Sequence, residues 1–189
     1  MEELNFSIKE HINLNLYSDS KGWRGYCERN KPFTIARANK IVNYFCQFFS
    51  RFAPNVTIVY NCFKIKEHEQ GNNSIANYVK YIEKYLIDFG YIKVASNSVY
   101  DNPDCLSTNF EIKQTTDYDI VSMFALLTMI DDGIDGHCFF VFNELGLIAY
   151  PHDNTGFGFI RFKRTENCYE NIFLQNVSLI SGFESQLVY

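Results

Sequence analysis

The sequence predicts an α/β protein of the α+β kind, with a mixed or largely antiparallel sheet covered by helices. Three observations support this class. Apolar residues recur at helical spacing in three stretches, short β-branched and aromatic runs lie between and after them, and turn signals join the last runs. Residues 1–189 suit a single domain, and 47% hydrophobic residues with 17% aromatics exclude disorder.

The first long helix is predicted over residues 34–52, TIARANKIVNYFCQFFSRF, where apolar residues return every three or four positions. Pro32 stands just before this stretch and Pro54 closes it. Residues 56–63, VTIVYNCF, follow at once and are β-branched and aromatic. They predict a buried strand.

The middle of the chain predicts a second helix flanked by strands. Ser74 is a typical N-cap, an apolar face follows it, and Gly90 ends the helix. Residues 91–96, YIKVAS, are predicted as a short strand. Residues 108–114, TNFEIKQ, alternate as expected for a strand with one wet face.

A third helix is predicted over TTDYDIVSMFALLTMI, where Thr116 and Asp119 stand at capping-box spacing. Three β-type runs follow, HCFFVFN, LIAYP and FGFIRFK, and NELG joins the first two as a tight hairpin. The last stretch, from Tyr169, is apolar, and its sequence fits either a helix or irregular packing. The first stretch of the chain is predicted to add another helix.

The N-terminal sequence and the cysteines indicate a cytoplasmic protein. MEELNFSIKEHINLNL lacks the cationic start and apolar block of a signal peptide, and no apolar run approaches membrane-spanning length. The six cysteines form no CxxC pair, so we expect reduced and mostly buried thiols. They are Cys27, Cys46, Cys62, Cys105, Cys138 and Cys168.

The negative charge is concentrated in one segment. The net charge is −5, yet residues 99–160 hold ten acidic residues and one basic residue, a net −9, which leaves +4 on the rest. This asymmetry argues against a nucleic-acid binder and predicts a basic partner if the acids share a face. An ordinary solvated acidic surface remains the alternative.

The segment IDDGIDGH, residues 130–137, contains three aspartates and one histidine. As a calcium loop it lacks alternating oxygen ligands and a glutamate at the twelfth position. As a zinc site it would need partners for His137, and only three other histidines occur in the chain. We therefore predict a helix-to-strand turn with exposed acids and no metal.

One pair of residues suggests nucleophilic catalysis. Cys27 lies near the start in GWRGYCE, and His152 and Asp153 follow far downstream, an order that resembles a papain-like cysteine enzyme. No helix-start motif surrounds Cys27, so a buried structural cysteine is the favoured interpretation. Other nucleophile, metal and phosphate-loop motifs are absent from the sequence, and no cofactor is predicted. The glycines of GFGF, residues 156–159, are expected to permit a bulge or a close strand approach.

The stretch FFVFNELGLIAYPHDNTGFGFI resembles an uncharacterised family of small bacterial proteins. That family has an aromatic strand, a hairpin and a Tyr-Asp-Asp-Arg-Gly-like turn before another strand. Tyr150, Asp153 and Gly156 correspond to this turn, whereas Pro151 and His152 intervene and Thr155 replaces the arginine.

The chain also resembles immunity proteins of bacterial toxin systems, including those of contact-dependent growth inhibition. Such proteins are small, cytosolic, often acidic and without catalytic activity, and each neutralises one cognate toxin. The resemblance implies a non-enzymatic protein, and the acidic segment suggests a basic nuclease-type toxin as partner. The expected contact residues are Asp101, Asp104, Asp131, Asp132, Asp135, Tyr100, Tyr118 and Trp23.

Two other functions stay open. One is a small cytosolic hydrolase or transferase that uses Cys27 and His152. The other is an accessory domain that binds a small ligand in its aromatic interior. Neither nucleic acid nor a membrane is a predicted partner.

Overall fold

A computed structural model describes residues 7–61, 73–92, 110–130 and 136–188, with the side chains of residues 73–76 left out. Most of the predicted strand over residues 91–96 lies outside the described residues.

Seven strands form one sheet in which every pairing is antiparallel, in the order β3-β2-β4-β5-β6-β1-β7. The strands are β1 (Trp23–Arg29), β2 (Val56–Asn61), β3 (Phe110–Thr115), β4 (Cys138–Phe142), β5 (Leu147–His152), β6 (Gly156–Arg161) and β7 (Phe183–Leu187). The α+β class and the largely antiparallel sheet are confirmed.

Five α-helices accompany the sheet in the part of the chain that the structure describes. They are α1 (Ile8–His11), α2 (Ile35–Phe49), α3 (Asn73–Asp88), α4 (Tyr118–Met129) and α5 (Tyr169–Val177). Helix α2 begins where the Thr34 side chain accepts a hydrogen bond from the Arg37 amide at 3.1 Å. It ends at Phe49, earlier than predicted, because the Phe52 amide bonds the Phe49 carbonyl in a tighter turn at 3.0 Å.

The sheet is covered on both faces. Helices α2, α4 and α5 bury one face, where the Phe45 and Phe157 rings stack with centroids 3.9 Å apart. The N-terminal segment covers the other face, where Ile12 and Tyr17 pack against Phe139 and its neighbours. Strands β4, β5 and β6 are therefore buried almost throughout, which explains their continuous apolar sequences.

Three local predictions change at helix and strand ends. The N-cap of α4 is Asp117, whose carboxylate accepts from the Asp119 amide at 2.8 Å, so the predicted box starting at Thr116 is wrong. The ambiguous last stretch is a helix followed by an edge strand, and the described part of the first stretch, from Ser7, contains the single turn of α1 and a 3-10 turn at Tyr17–Asp19. The NELG hairpin is confirmed, with Gly146 in the left-handed conformation at φ 57°.

The close strand approach predicted for the glycines of β6 is confirmed. A Cβ at Gly156 would lie 1.8 Å from the Cys27 carbonyl oxygen, and a Cβ at Gly158 would lie 2.0 Å from the Tyr150 ring. Only glycine fits at these two places in the sheet.

Candidate functional site

One end of the sheet brings together two described residues that each follow an acid-rich segment of the sequence. Asp101, Asp104, Asp131, Asp132, Asp135 and Tyr100 themselves lie outside the described residues. The residues that follow these segments, Phe110 and His137, are described, and their rings stack with centroids 6.4 Å apart. Asn61 lies between them, since it pairs with Phe110 and its side-chain oxygen accepts from the His137 amide at 2.6 Å.

His137 is an interior histidine. Only 7% of its surface is exposed, the Tyr17 hydroxyl contacts its Nδ1, and burial lowers its pKa to about 4. The imidazole is therefore neutral near pH 7. Its Nε2 and the Asn61 Nδ2 are buried and have no hydrogen-bond partner among the described residues. Among those residues, His137 belongs to no group of three side chains that could hold a metal ion.

Two of the predicted aromatic anchors are described, and both have internal hydrogen bonds. Trp23 is half-buried in β1 and donates its indole N–H to the Tyr150 hydroxyl at 2.9 Å. The Tyr118 hydroxyl donates to the Ala53 carbonyl at 2.6 Å, and burial raises its pKa. These hydroxyl and indole groups are already occupied, so any partner would meet the exposed parts of the rings.

Cys27 and His152 are neighbours, but the thiol and the imidazole do not meet. The His152 Nε2 lies 3.0 Å from the carbonyl oxygen of Cys27. The Cys27 side chain is fully buried in the core on the helix side of the sheet, and burial raises its pKa to about 12. His152 lies beside the rings of Tyr150 and Tyr26, on the face of the sheet opposite to the Cys27 thiol. The expected buried structural cysteine is confirmed.

Within the described ranges, no group of three histidine, cysteine, aspartate or glutamate side chains could hold a metal ion. No helix among those residues has the length and apolar character needed to cross a membrane.

A pocket of about 750 Å³ opens beside the N-terminus of α5. Its walls come from Arg24 of β1, from side chains within residues 161–171, and from Val188 after β7. A second cavity of about 390 Å³ shares three of its arginines and adds Lys163. No motif in the sequence predicts this pocket. The basic run Arg161, Lys163 and Arg164 directly after a predicted strand was the available signal.

The inner wall of the pocket is a buried ion pair between Arg161 and Glu170. Their side chains are 6% and 1% exposed, and the guanidinium is held by two bonds to the carboxylate, at 3.0 and 2.5 Å. Nη1 donates to the Thr165 hydroxyl and Nη2 also donates to the Asn167 carbonyl. Every nitrogen of Arg161 is therefore engaged within the protein.

Arg24 contrasts with Arg161, because no side-chain hydrogen bond or ion pair joins its guanidinium to another described residue. Strand β1 carries a bulge here, because Trp23 pairs with Ile160 while Gly25 pairs with Phe159. Arg24 is the extra residue, and such bulges redirect side chains. Its Nε is buried and has no hydrogen-bond partner among the described residues, and the same is true of the Oδ1 of Asn171 on the first turn of α5.

Comparisons with protein-family models, with curated proteins and with solved structures found no match to this chain.

Proposed function

We propose that this protein is a non-enzymatic immunity protein that neutralises a cognate bacterial toxin in the cytoplasm. The toxin is a basic, nuclease-type domain, and the two proteins form a tight complex through the acid-rich end of the sheet. Asp101, Asp104, Asp131, Asp132 and Asp135 supply the charge for this contact.

The observation that carries the proposal is the adjacency of Phe110 and His137. Two acid-rich segments, far apart in sequence, join the sheet at residues whose rings stack 6.4 Å apart. The segment before Phe110 includes Asp101 and Asp104, and the segment before His137 includes the other three aspartates. Strand pairing thus supports one acidic surface rather than two separate ones.

Electrostatics explains why such a surface suits a nuclease inhibitor. A nuclease needs cationic side chains to hold phosphates, so its cleft attracts a protein of opposite charge. Complementary potentials raise the association rate and discriminate against wrong partners. Five of the ten acids in residues 99–160 precede Phe110 or His137 and provide this attraction, whereas Asp117, Asp119 and Glu144 follow the opposite ends of β3 and β4.

A rescue experiment tests the function. The C-terminal domain encoded by the gene immediately upstream is expressed alone and together with this protein, and surviving cells are counted. We expect the domain to kill, and co-expression to restore growth through a complex that survives gel filtration. Death that is not relieved, or a harmless domain, would refute the assignment for that gene pair.

Charge reversal tests the contact surface. Changing Asp131, Asp132 and Asp135 to lysine should slow association and reduce its dependence on salt. The matched control reverses three exposed acids elsewhere, Glu10, Asp88 and Glu184, and changes the net charge equally. Equal association rates for the two triple variants at low salt would show that the contact lies elsewhere.

A further inference from the structure

We propose that the arginine-lined pocket beside α5 binds a small phosphorylated molecule that also carries hydroxyl groups. This inference is independent of the toxin contact, because it concerns other residues and an opposite charge.

The first support is a local surplus of positive charge in an acidic protein. The charge of Arg161 is neutralised by Glu170. The remaining charged residues that line the pocket are the cations Arg24 and Arg164 and one anion, the exposed Glu166. Lys163 in the adjoining cavity adds a further cation. Guanidinium groups bind phosphate oxygens through two parallel hydrogen bonds, so this pair of arginines suits a phosphate group.

The second support is the position of Arg24. The bulge turns this residue out of the regular alternation of β1, and Gly25 permits the bulge at φ 125°, where a Cβ would lie 2.0 Å from the Gln186 carbonyl oxygen. The Nε of Arg24 is buried with no hydrogen-bond partner. Arg24 as a whole is half-buried and lines the pocket, so its guanidinium can bind an anion there.

The third support comes from the first turn of α5. Its N-cap residue, Cys168, makes no side-chain capping bond, and its carbonyl accepts from the amides of Asn171 and Ile172. Among the described residues this leaves the amides of Tyr169 and Glu170 without a backbone acceptor. Asn171 is half-buried and lines the same pocket, so its side-chain amide can hydrogen-bond a hydroxyl group of the ligand.

The size of the pocket limits the ligand class. A volume of about 750 Å³ exceeds what inorganic phosphate needs. It falls in the range of sites that enclose metabolite-sized molecules. A sugar phosphate or a nucleoside monophosphate combines the required anion, hydroxyl groups and size.

Arginine side-chain NMR gives a direct test. The full-length protein is titrated separately with ribose 5-phosphate, adenosine 5′-monophosphate, inorganic phosphate and citrate, while the Nε–Hε signals of the arginines are followed. We expect a saturable shift of the Arg24 signal with the two organic phosphates and weaker binding of inorganic phosphate. An Arg24 signal that stays in place with both organic phosphates at millimolar concentration would overturn the proposal. Citrate binding as tightly as ribose 5-phosphate would overturn the phosphate assignment.

Three variants separate the proposed contacts. Arg24→Gln and Arg164→Gln should each weaken ribose 5-phosphate binding about tenfold or more, since each removes charged hydrogen bonds. Asn171→Leu should weaken ribose 5-phosphate while leaving inorganic phosphate unchanged. Arg51→Gln, an exposed arginine outside the pocket, is the matched control and should bind like the wild type. Equal binding by the Arg24 and Arg51 variants, with dispersed spectra for both, would also refute the site.

Discussion

The guanidinium of Arg161 and the carboxylate of Glu170 form a two-bond ion pair inside the protein, 3.0 Å from Nε to Oε1 and 2.5 Å from Nη2 to Oε2. The pair ties the end of β6 to the first turn of α5. A carboxylate in the first turn of a helix also interacts favourably with the helix dipole. This contact therefore sets the position of α5 beside the arginine-lined pocket.

Glu170→Gln should lower the free energy of unfolding by about 3 to 5 kcal/mol, because it leaves the Arg161 charge buried without its counter-ion. Urea denaturation followed by circular dichroism measures the loss. Glu166→Gln is the control, because Glu166 is exposed and lies three residues before the start of α5. Its free energy of unfolding should stay within about 0.5 kcal/mol of the wild-type value. Equal stabilities of the two variants would contradict a structural role for the pair.

Gly158→Ala should destabilise the sheet by about 1 to 3 kcal/mol, as overpacking does. The added methyl group would displace the Tyr150 ring, which the Trp23 hydrogen bond holds in place. Because Trp23 is the single tryptophan, its fluorescence reports the displacement directly. In a Tyr150→Ala background the same glycine substitution should cost little, and a cost that persists there would point to a different cause.

Stability should fall as the solution is acidified below pH 6.5. His137 has a pKa of about 4 in the folded protein against an ordinary 6.5, because burial disfavours its charged form. The unfolded chain takes up the proton first, so stability is complete above pH 6.5 and declines as pH falls toward 4, by up to about 3 kcal/mol for this residue. The pKa of His152 is also lowered by burial and acts in the same direction.

Denaturation midpoints of the wild type and of His137→Gln, measured between about pH 7 and pH 5, test this origin, since most carboxylates stay ionised there. The variant should show a flatter pH dependence than the wild type, and His152→Gln should flatten it separately. An identical slope in wild type and His137→Gln would exclude His137 as the source.

The start of α4 offers a test of the observed helix cap. Asp117→Ala should cost about 1 kcal/mol, because it removes the acceptor for the Asp119 amide. Thr116→Ala, at the neighbouring exposed position, should leave stability nearly unchanged. Thermal melting distinguishes the observed cap from the predicted one. With Asp117 as the cap, Asp117→Ala has the lower melting temperature, and a cap at Thr116 would make Thr116→Ala the less stable variant.

The cysteines should differ sharply in reactivity. Iodoacetamide at neutral pH should modify the exposed Cys168, while Cys27 and Cys138 stay unmodified until the protein unfolds, because burial raises the pKa of both thiols. Mass spectrometry of the digested protein identifies the modified positions, with Cys168→Ser as the control. Rapid modification of Cys27 in the native protein would instead favour the cysteine-dependent enzyme.

Much of the fold was predictable because its signals are local. The apolar period of α2 and the aromatic runs of β4, β5 and β6 indicate helix and strands within a few residues. The last stretch was ambiguous, since its apolar residues suit either state. Pairing of β7 with β1 decides the strand there, and packing on the helix-side core decides α5.

Some features of the candidate sites were also predictable from local sequence, and others were not. The concentration of acids in residues 99–160 and the favoured burial of Cys27 follow from residue type and order. The arginine-lined pocket does not, because Arg24 and Arg161 lie at opposite ends of the chain and meet only through the pairing of β1 with β6.

By itself, the sequence determined the periodicity of most elements, the α+β class and the charge asymmetry, because these depend on residues close together in the chain. Only the tertiary structure decided that Phe110 lies beside His137, that the Cys27 thiol is separated from the His152 imidazole, and that the Arg24 Nε is buried without a hydrogen-bond partner among the described residues. Strand order brings distant residues together, and a one-residue bulge changes which face a side chain occupies. Neither effect can be read from local sequence.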